Sequence, residues 1–141
     1  MKQYFSALLI VLFLAPAYVV LGQCVAGESE VVVQILTDNY PAETTWTLSD
    51  ASGALLSGGP YQGTNTTYTA STCIPNTGDP SCLQFVIDDS YGDGICCGYG
   101  NGDFTLLIDG VEVATGGDFN YQDVVMFDCA PGTTCNDAVA L

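Results

Sequence analysis

Through most of this chain apolar side chains recur at every second position, and that period of two restricts it to strands with one buried face. Residues 30–37 place Val31, Val33 and Ile35 on one side and Val32, Gln34 and Leu36 on the other. Residues 44–49 alternate around Trp46 and Leu48, and 82–88 align Leu83, Phe85 and Ile87. Residues 104–108 do the same with Phe104, Leu106 and Ile108. Further strands are expected over 54–57, 64–71, 111–114 and 124–128. Ser49-Asp50-Ala51-Ser52-Gly53 and Asp109-Gly110 read as hairpin turns. About eight short strands with Gly-rich turns predict an all-β fold, an antiparallel two-sheet sandwich or jelly roll. No amphipathic helix is evident after the first segment.

That first segment, 1–22, reads as a signal peptide. Lys2 supplies a positive start, Ala7 begins an apolar run that is short for a membrane span, and Gly22 offers a small residue for cleavage before Gln23. The expectation is a secreted, extracellular protein with a domain over 23–129 and a tail or linker over 130–141. No membrane insertion is expected after signal cleavage.

Charge narrows the function classes. The whole chain has 16 Asp and Glu, one Lys or Arg and no His, and its one basic residue, Lys2, lies in the signal. The exported part therefore cannot neutralise a phosphate backbone, which excludes nucleic acid as a partner. No side chain can form a salt bridge with its carboxylates. Each buried carboxylate must be protonated, bonded to amides, or bound to a cation. Catalysis is not expected: there is no His for a triad and no Lys for a Schiff base, and thiols in an exported chain are oxidised. A carboxylate pair such as Asp88 with Asp103 has no feature favouring a glycosidase role.

Seven cysteines read as a disulfide staple rather than a zinc site. Cys24, Cys73, Cys82, Cys96, Cys97 and Cys129 are the expected participants, with Cys135 left over. A bond between adjacent Cys96 and Cys97 is one alternative. Separate bonds from these two to Cys73 and Cys82 are the expectation, with Cys24 paired to Cys129.

The chemistry concentrates between two strands, in Asp88-Asp89-Ser90-Tyr91-Gly92-Asp93-Gly94-Ile95-Cys96-Cys97-Gly98-Tyr99-Gly100-Asn101-Gly102-Asp103. A loop this long without regular structure is functional or crosslinked. Asp88, Asp89, Asp93, Asn101 and Asp103 offer the hard oxygens that Ca²⁺ prefers. Turn-capping by the same residues is the simpler alternative. The pattern is not an EF-hand, since counting from Asp89 the third residue is Tyr91 and the twelfth Gly100. The segments TDNYP and DDSYG are alike locally, although the likeness does not extend. Asn65-Thr66-Thr67 is an N-glycosylation sequon at Asn65. Tyr40, Trp46, Tyr61, Tyr91, Tyr99 and Tyr121 are either core packing or a sugar-stacking platform, with Trp46 expected in the core.

The segment DSYGDGICCGYGNGDF, some fifty residues after TDNYPAETTW, resembles a module of secreted multidomain proteins from marine bacteria and algae. Some of those proteins carry it beside metalloprotease or adhesion domains. The resemblance spans 31–129 and implies an accessory, non-catalytic β-domain for adhesion or carbohydrate binding. A looser likeness is to calcium-binding sandwiches such as CUB domains. The expected function is a secreted Ca²⁺-binding module for a glycan or a cell-surface or matrix protein. The alternative is a subunit that assembles with itself into an extracellular filament or matrix.

Overall fold

The structure is a computed structural model, and it describes residues 24–76 and 82–127. The signal segment, the tail, Cys129 and Cys135 lie outside the described residues. Eight strands are present: β1 (Glu28–Leu36), β2 (Thr44–Asp50), β3 (Gly53–Gly58), β4 (Thr67–Pro75), β5 (Leu83–Asp89), β6 (Asp103–Ile108), β7 (Val111–Gly116) and β8 (Gln122–Phe127). A 3₁₀ turn, Pro41–Glu43, precedes β2.

The strands form two antiparallel four-stranded sheets, ordered β4-β1-β6-β7 and β3-β2-β5-β8. They pack face to face as a sandwich. Alternation dictates the burial: Val31, Val33, Ile35, Leu48, Phe85, Ile87 and Leu106 are fully buried, and Trp46, Leu83 and Phe104 nearly so. Phe85 of one sheet meets Phe104 of the other with ring centroids 5.1 Å apart, and Trp46 lies 5.8 Å from Phe85. These inward faces were legible because each strand is amphipathic on a period of two. The indole of Trp46 donates to the Tyr61 hydroxyl, so its polar atom is satisfied inside the core.

Both hairpins form where the sequence places them. Asp109 and Gly110 have φ of 49° and 78°, the paired positive values of a two-residue turn whose twist matches its strands. The Asp109 carboxylate accepts from the Glu30 amide at 2.9 Å and the Ser29 hydroxyl at 2.8 Å, tying this turn to β1. Asp50 caps the other turn, accepting from the Ser52 amide at 2.7 Å.

The expected disulfide pairing is corrected. Cys24 bonds Cys73, with Cα atoms 5.5 Å apart, and Cys96 bonds Cys97. Cys82 is also disulfide-bonded. The reason lies in topology. β1 and β4 run antiparallel with Glu28 opposite Pro75, so the segment leading into β1 arrives beside the end of β4. Cys24 is thereby unavailable to Cys129, and Cys73 to the loop cysteines. The Cys24–Cys73 bond closes a separation of 49 residues, a constraint that contributes about 4 kcal/mol in the chain-entropy model.

Candidate functional site

At the end of the sandwich opposite this bond, four connections meet: 37–43, 59–66, 90–102 and 117–121. Backbone hydrogen bonds lace them together. The Asn39 amide donates to Tyr99 at 3.2 Å, Asn65 to Asp38 at 3.1 Å, Tyr61 to Pro41 at 3.0 Å and Ser90 to Glu43 at 3.1 Å. Ile95 and Cys96 both donate to the Gly117 carbonyl, at 3.1 and 3.0 Å. Ile95 is 1% exposed, so the long loop is anchored by an apolar side chain set into the core. Gly94 has φ +70°, and a Cβ there would sit 2.5 Å from the Phe119 carbonyl oxygen. This close approach of two loops requires glycine.

Asp89 ends β5 on the inward face and is 3% exposed. One of its oxygens accepts from the amides of Tyr91, Gly92 and Asp93 at 2.9, 2.6 and 3.4 Å. Asp38 is 4% exposed, and its carboxylate accepts from the Tyr40 amide at 2.8 Å. The local likeness of TDNYP to DDSYG thus has a structural counterpart: in each, an aspartate binds the amide of the tyrosine two residues on. These two turns face each other across the end of the sandwich.

Carboxylate oxygens of Glu43, Asp89 and Asp93 all lie within 4.8 Å of one another. Burial raises the Asp38 carboxyl above its ordinary value, and Asp89 and Asp93 push it further. Burial likewise raises Glu43, with Asp89, Asp93 and Asp38 adding to the shift. Asp38, Glu43, Asp89 and Asp93 therefore form one mutually repelling acidic group. Thr44 lies directly opposite Asp89 in the β2–β5 register, and both side chains point inward. The Thr44 hydroxyl oxygen is buried with no hydrogen-bond partner.

Of the residues expected to gather here, Asp89 and Asp93 do so. Asp88 and Asp103 do not belong to the cluster. Successive strand residues leave opposite faces, so Asp88 points outward, where it accepts from the Gln122 amide at 2.6 Å. Asp103 opens β6, exposed and paired with Leu36. Asn101 is exposed, with its backbone bridged to Cys96. Glu43 and Asp38 escape sequence reasoning because they arrive from another loop. The signal for them is Glu43-Thr44 at the start of a strand that pairs with Asp88-Asp89. A second grouping, Cys24, Glu28 and Cys73, offers no thiolate because its cysteines are bonded to each other.

Above the carboxylates lies a cleft of about 230 Å³ lined by Tyr40, Glu43, Tyr91, Asp93 and Tyr99. Tyr40, Tyr91 and Tyr99 are 49, 76 and 54% exposed, and Tyr121 is 65% exposed. Tyr40 and Tyr99 meet edge to face with centroids 5.6 Å apart. Trp46 and Tyr61 are packed inside instead, so the six aromatics divide between core and surface. Asn65 is exposed with φ +48°, and its side-chain amide donates to Asn39 at 3.1 Å.

No family model, curated protein or solved structure matches this chain. Among the described residues, no helix is long and apolar enough to cross a membrane.

Three carboxylates this close could be bridged by one hard divalent cation. Two oxygens bound to one Ca²⁺ at about 2.3–2.6 Å can stand no more than about 5 Å apart, and the three carboxylates meet that limit. An unpartnered buried hydroxyl beside them is a further hard oxygen. The repulsion and desolvation that raise Asp38 and Glu43 are relieved by a cation at the same place.

Proposed function

We propose that this chain is a secreted, non-catalytic module whose loop end binds Ca²⁺ and so presents a surface to a glycan or a cell-surface or matrix protein. The observation that carries this reading is the convergence of Glu43, Asp89 and Asp93 within one ion's reach. The only basic residue in the sequence is Lys2, so no cationic side chain offsets them. The ion would be held by Glu43, Asp89 and Asp93, with Asp38 and Thr44 at their side. Its chemistry is structural: it cancels the repulsion and fixes two facing turns.

Isothermal calorimetry of the oxidised protein with CaCl₂ tests the proposal. Wild type and Asp88→Asn bind near one ion per chain, because Asp88 faces the opposite side of the sheet. Asp93→Asn and Asp89→Asn weaken binding at least tenfold, while the asparagine at 89 keeps an oxygen for the loop amides. Absence of heat in the wild type, or equal loss in Asp88→Asn, contradicts it.

A second reading, self-assembly into a filament or matrix, draws on the edge strands. Val111 and Val113 on β7 are 66 and 41% exposed, and Val124 on β8 is 45% exposed. Unpaired edges with apolar side chains favour strand addition. Light scattering and electron microscopy with and without CaCl₂ separate filaments from monomers.

A further inference from the structure

We infer that the tyrosine-lined cleft is a site for a quaternary ammonium group, held by cation–π contact with Tyr40, Tyr91 and Tyr99 and by the charge of Glu43 and Asp93. This goes beyond the calcium reading and does not rest on it. The two share Glu43 and Asp93, whereas the three tyrosines belong to the cleft alone.

The make-up of the walls leads there. Of the five residues lining the cleft, three are tyrosines and two are carboxylates. A bare metal ion has use for the carboxylates but none for aromatic rings. An alkylated ammonium uses both, because each ring face is electron-rich and the carboxylates supply the full charge. Tyr40 and Tyr99 stand edge to face and remain about half exposed. Tyr91 is 76% exposed, so little protein packing accounts for its ring. The rings are also set in place by their own backbone. Tyr40 and Tyr91 each follow an aspartate, Asp38 and Asp89, that accepts their amides at 2.8 and 2.9 Å. The Tyr99 carbonyl accepts from Asn39 and the Glu43 carbonyl from Ser90, which ties the two walls to each other.

Charge and size narrow the ligand. The chain has a net charge of −15 and its only basic residue is Lys2, so the field at the cleft gathers cations and repels anions. A zwitterion with a phosphate or carboxylate beside its ammonium is disfavoured on that ground. The cleft holds about 230 Å³, below the ~300–1,000 Å³ of sites for drug-sized ligands, and so admits a head group. Primary ammonium ions are the competing occupant. Their compact charge is strongly hydrated, and an open cleft with two carboxylates replaces that water poorly. A quaternary head group donates no hydrogen bond and exchanges loosely held water for ring faces. Choline and the trimethylated side chain of lysine both present it.

Calorimetric titration in EGTA at fixed ionic strength tests this, with tetramethylammonium, methylammonium, choline, phosphocholine and a peptide bearing trimethyllysine. Tetramethylammonium is expected to bind about tenfold or more tightly than methylammonium, and choline more tightly than phosphocholine. Tyr91→Ala weakens tetramethylammonium roughly fivefold or more. Tyr91→Phe keeps the affinity because the ring face remains, and Asp88→Asn keeps it because that side chain faces the opposite side of the sheet. Tighter binding of choline assigns a free amine as the source of the group, and tighter binding of the peptide a methylated protein. Equal affinity for tetramethylammonium and methylammonium, or for wild type and Tyr91→Ala, overturns the inference. So does a loss in Tyr91→Phe as large as in Tyr91→Ala. Because calcium is chelated throughout, failure here leaves the calcium reading to its own titration.

Discussion

Asp38 and Glu43 carry the electrostatic cost of gathering carboxylates without a cation. Folding raises both above their ordinary values of 3.8 and 4.5, first by burial and then by repulsion from Asp89 and Asp93. Between those values and the raised ones, the folded chain holds protons that the unfolded chain has released. Stability of the metal-free protein therefore falls as pH rises through that window. Asp50 and Asp109 work the other way. The Ser52 hydroxyl lowers Asp50, and the Glu30 amide lowers Asp109. Their stabilisation is lost only as pH falls below 3.8. In chelator-treated buffer, the melting temperature is expected to rise as pH falls from 7 toward the ordinary glutamate value of 4.5. With millimolar CaCl₂ the trend reverses, because protons then compete with the ion. A metal-free melting temperature that drops on this acidification contradicts the burial of a repelling cluster. Asp89 and Asp93 were legible as a pair because both sit in one Asp- and Gly-rich run. Asp38 and Glu43 were not, since only the pairing of β2 with β5 brings their loop to the same end.

The elements themselves were written plainly in the sequence. Four strands, β1, β2, β5 and β6, follow amphipathic alternation; the others follow turn signals and strand-favouring composition, and both hairpins follow turn chemistry that permits little else. What alternation cannot supply is the order of strands in each sheet, which depends on packing between distant segments. The disulfides show the consequence. Cys24 meets Cys73 because β1 lies beside β4, a neighbour relation that no local pattern states. Between the elements, Phe85 is the side chain on which both sheets close, with Trp46 beside it and Phe104 across from it. Phe85→Ala leaves a cavity at full burial and is expected to cost about 3–5 kcal/mol. Urea denaturation measures it; a loss under about 1 kcal/mol would mean that the sheets do not close on this ring.

Among the described residues, the two ends of the sandwich differ in chemistry. One end is held by Cys24–Cys73 and the turns at Asp50 and Asp109. The other gathers four connections around acidic oxygens and exposed tyrosines. A rigid sandwich between them leaves the proposed binding to the loops while the core supplies stability. Tyrosine-sensitised terbium luminescence locates a calcium-like ion at the second end directly, because only tyrosines close to the ion transfer their excitation to it. Tyr40, Tyr91 and Tyr99 line the cleft above the carboxylates. Excitation of tyrosine in the oxidised protein should yield terbium emission that CaCl₂ abolishes, that Asp89→Asn and Asp93→Asn weaken, and that Asp103→Asn retains. Emission that survives both Asp89→Asn and Asp93→Asn unchanged, or never appears in wild type, would contradict an ion at this end of the sandwich.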